Sequence, residues 1–162
     1  MKIVIYHASK FGNGAKVAEE LRKVIEGKGH QAEVRHIKAS KPKELLPAEL
    51  YVFGSPTRIG KPIGSMRRFL KKATLPSGTR YALFATHGDA VPNKKTGKLP
   101  TDEELSRWRR TLPIMDEILK GKGLVKVADK IFLVSGEQMR GHLKEGWQGK
   151  TDEFATAILG SA

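Results

Sequence analysis

The chain has 162 residues, 39% hydrophobic and 29% charged, with 30 lysines and arginines against 17 acidic side chains. That balance describes one domain, residues 1–162, able to bury a sizeable core, and no apolar run approaches the roughly 18 residues of a membrane span. The absence of cysteine excludes disulfides, thiolate catalysis, iron–sulfur ligation and cysteine zinc sites, so any redox chemistry must arrive with a cofactor.

Met1 leads straight into an apolar strand, about Lys2–Tyr6, which reads as no signal peptide and a cytoplasmic protein. A helix follows from about Ala15 to Lys28, with Val17, Leu21, Val24 and Ile25 on one stripe and glycines at its end. Gln31–Ile37 alternates like an edge strand. Lys38–Pro47 is a basic linker with one helical turn expected at Pro42–Leu46. Leu50–Phe53 is a short, fully apolar strand, and Gly64–Lys72 a helix burying Met66, Phe69 and Leu70. A fourth strand covers Tyr81–Thr86, and His87–Pro100 is an exposed loop rich in glycine, proline and lysine. Between Asp102 and Lys120, Leu105, Trp108, Leu112, Met115 and Leu119 recur in a helical rhythm and read as core, with Pro113 kinking the helix or starting a second one. Lys130–Val134 is a fifth strand and Thr151–Leu159 the closing helix.

Five short apolar strands alternating with helices argue an α/β fold with a parallel sheet covered on both faces, doubly wound because its crossovers are right-handed. Ligands in such folds sit beyond the carboxyl ends of the strands. The loops there are 7–14, 54–62 and 87–100. Residues 51–100 carry ten basic side chains against Asp89 alone, so nine of the thirteen net positive charges fall on that third of the chain. This asymmetry points to an anionic ligand, an acidic partner protein or a polyanion.

The first loop, Ser9-Lys10-Phe11-Gly12-Asn13-Gly14, joins a strand to a helix N-terminus, where backbone N–H groups without intrahelical partners and the helix dipole favour an anion. It lacks the dinucleotide and nucleoside-triphosphate fingerprints and suits a single phosphate. Ser9 adds a hydroxyl, and Lys10 can add a charge-assisted contact. The five histidines do not pair with carboxylates at metal-ligand spacing, so no metal site is read.

In these loops the chain resembles the flavodoxin-like superfamily of FMN proteins. Flavodoxins carry a phosphate loop of the form Ser/Thr-x-Thr-Gly-x-Thr; here Phe11 and Gly14 replace two hydroxyl positions. The aromatic before glycine is similar to the tryptophan-repressor-binding-protein type of NAD(P)H:quinone oxidoreductase. So is Phe53-Gly54-Ser55-Pro56-Thr57-Arg58-Ile59-Gly60 with the helix after it. The resemblance implies a five-stranded sheet of order 2-1-3-4-5 and FMN with its phosphate on residues 9–14. Pro56, Thr57, Arg58, Ile59 and Gly60 would border one side of the flavin, and Thr86, His87, Gly88 and Asp89 the other. Arg58 would raise the flavin's potential, and Gly60 or a neighbouring peptide could reorient with its oxidation state. Flavodoxins stack aromatic residues on the flavin, and these loops supply neither Tyr nor Trp.

The expected function is therefore an electron carrier between redox partners, the physiological partner being acidic. One alternative is an NAD(P)H-dependent reductase of quinones or similar acceptors, which needs room for a nicotinamide, usually made by an oligomer. A second is a basic nucleic-acid-binding or regulatory module without flavin, which the charge supports and the lack of interleaved stacking aromatics opposes.

Overall fold

The alternation of the first strand decides the layering. In the computed structural model, which describes residues 1–136 and 140–160, β1 (Lys2–His7) sends Ile3 and Ile5 to one face of the sheet and Val4 and Tyr6 to the other, all buried. On the first face α1 (Asn13–Gly27) and α5 (Trp147–Gly160) cover Ile3, Ile5, Val52, Phe84 and Phe132. On the second, α2 (Gly64–Lys72) and α4 (Thr111–Lys120) cover Tyr6, Phe53, Tyr81 and Leu83. Each fully buried Leu, Ile or Phe contributes about 1.5–3 kcal/mol, so each face is a core in its own right.

The strands β2 (Gln31–His36), β1, β3 (Leu50–Arg58), β5 (Arg80–Gly88) and β6 (Val125–Val134) lie side by side in that order, every pair parallel. Counting only these five, the order is the expected 2-1-3-4-5. A sixth strand, β4 (Lys61–Pro62), was not expected: β3 runs on to Arg58 and folds back as an antiparallel hairpin in what reads locally as a loop.

Three local expectations are corrected. The helical turn in the basic linker is a 3-10 turn at Ile37–Ala39, not at Pro42–Leu46. The last strand begins at Val125 rather than Lys130. The third concerns Trp108: the helical region is two helices, one of the outcomes Pro113 allows, α3 (Asp102–Trp108) and α4, with Pro113 in the first turn of α4, where its missing N–H costs nothing. The split ends the core stripe early. Met115 and Leu119 are buried, but Trp108 is 66% exposed. Arg110 donates its N–H to the carbonyl of Gly60 at 2.8 Å, a tertiary bond that replaces the helical one.

Candidate functional site

The turn from β1 into α1 is tied together at Ser9. Its N–H is accepted by His7 Nδ1 at 3.2 Å, its carbonyl lies 3.0 Å from His36 Nε2, and its Oγ accepts the N–H of Gly12 at 3.0 Å. His36 Nδ1 accepts from the Lys38 N–H, so its proton sits on Nε2 and is donated to Ser9. Burial, and then the neighbouring His36, push the imidazolium of His7 down to a pKa of about 4, so it stays neutral and can accept. Gly12, in the left-handed region at φ 94°, is the N-cap of α1; no side chain caps the helix and no carboxylate lies in its first turn. Gly14 packs closely on Ser9, since a Cβ there would stand 3.2 Å from Ser9 Cβ and Ser9 would have to give by a few tenths of an ångström.

The second loop is the β3–β4 hairpin. Its turn residues Ile59 and Gly60 both have positive φ, 51° and 73°. The Gly60 carbonyl is engaged by Arg110, and a Cβ on Gly60 would meet the Trp108 carbonyl at 2.8 Å. Ser55 Oγ accepts the Ile63 N–H, and Thr57 Oγ1 lies 2.7 Å from the buried Thr111 Oγ1, so both ends of the hairpin are fixed to helices. Arg58 and Ile59 are exposed.

These loops enclose a cavity of about 390 Å³, lined by Ser9, Lys10, Phe11, Asn13 and Gly14 from the first and Pro56, Thr57, Arg58 and Ile59 from the second, with Thr86 from β5. Ile63 and Arg140 complete it, and neither was expected. Arg140 arrives on the segment after β6, where Gly141 accepts a hydrogen bond from Asn13 Nδ2 at 3.1 Å. Lys10 and Arg140 both lie over the Phe11 ring, 5.8 and 5.5 Å from its centroid. Gly12 and Gly60 shape the loops without lining the cavity.

His87, Gly88 and Asp89 line a second, wider cavity of about 1030 Å³, which shares the Thr57 wall with the first. His87 is 2% exposed, its Nε2 is buried, and no described residue bonds it. Burial, aided by the Arg109 guanidinium, lowers its pKa to about 4. Asp89 is held below the usual carboxylate range by its hydrogen bond to Lys144. Trp108 of α3 lines this cavity, so an aromatic side chain does reach the site, from an element where it was read as core. Among the described residues no group of His, Asp and Glu could hold a metal ion.

The family model for the flavodoxin domain matches residues 4–144. Among solved structures, oxidised flavodoxin 2 from Bacillus cereus is 19% identical with a TM-score of 0.73, each chain covering 100% of the other. A flavodoxin from the domain Archaea is 20% identical with a TM-score of 0.70 over 98% of this chain and 96% of that one. The rubredoxin oxygen:oxidoreductase of Desulfovibrio gigas matches 97% of this chain with 35% of its own length, at 17% identity and a TM-score of 0.69. No curated protein sequence matches. With the family model spanning most of the chain and the sheet order as described, the chain belongs to the flavodoxin domain family, and it is a flavodoxin-like electron carrier.

Proposed function

We propose that the flavin is FMN and that the protein passes its electrons to an acidic partner protein. The observation that carries this is the composition of the smaller cavity: an uncapped helix N-terminus with no carboxylate in its first turn, faced by Lys10, Arg58 and Arg140. Such a site favours a phosphate over a neutral ligand end. The residues fit the group, because the N-terminus of α1 has no side-chain cap and no carboxylate in its first turn, and two basic side chains, Lys10 and Arg140, line the same cavity. Ser9 Oγ, which accepts from Gly12, still has its own proton to donate.

FMN supplies the electron-carrying chemistry when bound. The protein's part is binding and tuning. The first loop holds the phosphate; the hairpin and Thr86 border the ring; Arg58 places a positive charge where the reduced ring is negative. The Gly60 carbonyl, part of the Gly60–Lys61 peptide, is held by Arg110, and Arg58 pairs with Lys61, so a peptide reorientation at this turn falls more easily on the central Ile59–Gly60 link.

The acidic partner follows from the rim. Arg58, Lys61, Lys94, Lys95 and Lys98 form no ion pair among the described residues, so their charge is available to a partner surface. The reading is tested by adding FMN or riboflavin to the purified protein and following flavin absorbance and fluorescence. Tight FMN binding with riboflavin at least about tenfold weaker supports a phosphate-reading site; equal affinities, or no binding, overturn it.

A further inference from the structure

We infer that the segment after β6 is a strap at the phosphate end of the smaller cavity, in which Arg140 retains the phosphate and Phe11 is the post that holds Arg140 in place. The inference rests on the FMN reading and adds to it a residue far outside the first loop. Three observations carry it.

The first is what the loop lacks by itself. Ser9 carries the one hydroxyl between residues 9 and 14, Asn13 spends an amide N–H on the Gly141 carbonyl, and Phe11 donates nothing. The helix N-terminus offers backbone N–H groups and a partial charge. A phosphate monoester near neutral pH carries a charge of about −1.5 to −2. Lys10 is the loop's single full positive charge, so a second has to come from elsewhere in the chain.

The second is how firmly the segment after β6 is tied down. The Ser135 N–H donates to the His142 carbonyl at 2.8 Å, and the His142 N–H donates to Ser135 Oγ at 3.2 Å. The Lys144 N–H donates to the Leu133 carbonyl at 2.9 Å. A Cβ on Gly141 would stand 2.1 Å from the Ser135 carbonyl oxygen, so this approach needs glycine. At its other side Gly141 is bonded by Asn13, the buried first residue of α1. The backbone next to Arg140 is thus fixed both to the end of β6 and to the start of the helix that would meet the phosphate.

The third is Phe11. Its ring is 50% exposed, which recovers little by burial, and it is shared by two cations, Lys10 at 5.8 Å and Arg140 at 5.5 Å from its centroid. A cation held over a ring face is attracted by the quadrupole and spends no N–H there. Arg140 forms no ion pair among the described residues and lines the cavity, so its donors remain for an anion. Phe11 therefore orders a long, exposed side chain in advance, and less entropy is lost when the phosphate takes it up.

The test loads the full chain with FMN and follows its release on dilution as the return of free-flavin fluorescence. Arg140→Met, which keeps most of the apolar stem at an exposed position, should release FMN about tenfold faster and leave riboflavin affinity unchanged. Arg140→Lys should recover part of the loss. Phe11→Leu should also speed FMN release, and the double variant with Arg140→Met should fall short of the product of the two single effects, because Phe11 acts through Arg140. FMN release at the original rate in Arg140→Met overturns the strap, and so does equal weakening of FMN and riboflavin, which marks general loosening. Fully multiplicative effects overturn the role given to Phe11. A chain that binds no FMN sinks both readings, whereas one that binds FMN tightly and ignores Arg140→Met sinks the strap alone.

Discussion

His36 Nε2 lies 3.0 Å from the carbonyl oxygen of Ser9, and the side chain of His36 reaches that loop from the neighbouring strand β2. With His7 accepting the Ser9 N–H from the other side, the peptide units flanking Ser9 are held by two imidazole rings. These histidines do not line the cavity; they position the loop that does. His36→Ala should therefore weaken FMN binding by about tenfold, or ~1.4 kcal/mol, the scale of a lost hydrogen bond. Riboflavin, which has no phosphate, should bind nearly as before. His36→Gln, whose amide can reach with an N–H in place of Nε2–H, should recover part of the loss. Calorimetric titration of both flavins separates this from general damage, which would weaken them equally.

Acid should loosen the same loop. His7 titrates near 4 in the fold against about 6.5 when unfolded, and so does His87. A depressed folded pKa means that the unfolded chain binds more protons between those values. The stability from keeping each ring neutral is complete above pH 6.5 and is lost as the pH falls towards 4. Both rings are almost fully buried, and each contributes up to about 3 kcal/mol. Urea unfolding at pH 7.5, 6 and 4.5 should show a steep decline over that window. His7→Asn, which keeps an acceptor for the Ser9 N–H but cannot titrate, should flatten it; an unchanged slope would remove His7 from the account.

Arg58 stands at the smaller cavity with no carboxylate partner among the described residues. Its charge should favour the reduced, more negative flavin. Arg58→Ala should lower the two-electron midpoint potential by about 30 mV, equivalent to ~1.4 kcal/mol. Arg58→Lys should restore part of it. The shift should shrink at high salt, because the side chain is exposed. A potentiometric titration of each variant decides, and a potential unmoved in Arg58→Ala leaves the arginine to partner docking alone.

What the sequence made legible follows from the range of the interactions involved. Leu50–Phe53 is apolar throughout because both faces of β3 are covered, and that pattern is local. The anion loop is local too: strand, small residues and helix follow one another directly. Trp108 was misread because its helical rhythm with Met115 continues across a break made by Gly60, far away in the chain. Arg140 left no local trace; the hydrogen bond between Asn13 and Gly141 that brings its segment over the first loop spans 128 positions. One general rule could have found it. Loops at the carboxyl ends of parallel strands meet at the ligand, and the loop after the last strand is one of them.

Ile59 is the non-glycine residue with positive φ among those described, at 51°, and it is 80% exposed. A β-branched side chain in the left-handed region crowds its own backbone, which costs about 1–2 kcal/mol, and an exposed isoleucine recovers little by burial. Its neighbour cannot relieve it: Gly60 is fixed between Arg110 and Trp108. The strain therefore sits at the rim of the smaller cavity, held by the hairpin and by Thr57 against Thr111. Ile59→Gly and Ile59→Asn both suit a turn with two positive φ values. Each should raise the urea midpoint, Asn by about 1 kcal/mol in unfolding free energy, and Gly by less because it adds entropy to the unfolded chain. If the apolar side chain is kept to cover the flavin, the same variants should also bind FMN more weakly. Stabilisation with weaker FMN binding marks strain retained for function; no stabilisation in either variant means that the turn carries none.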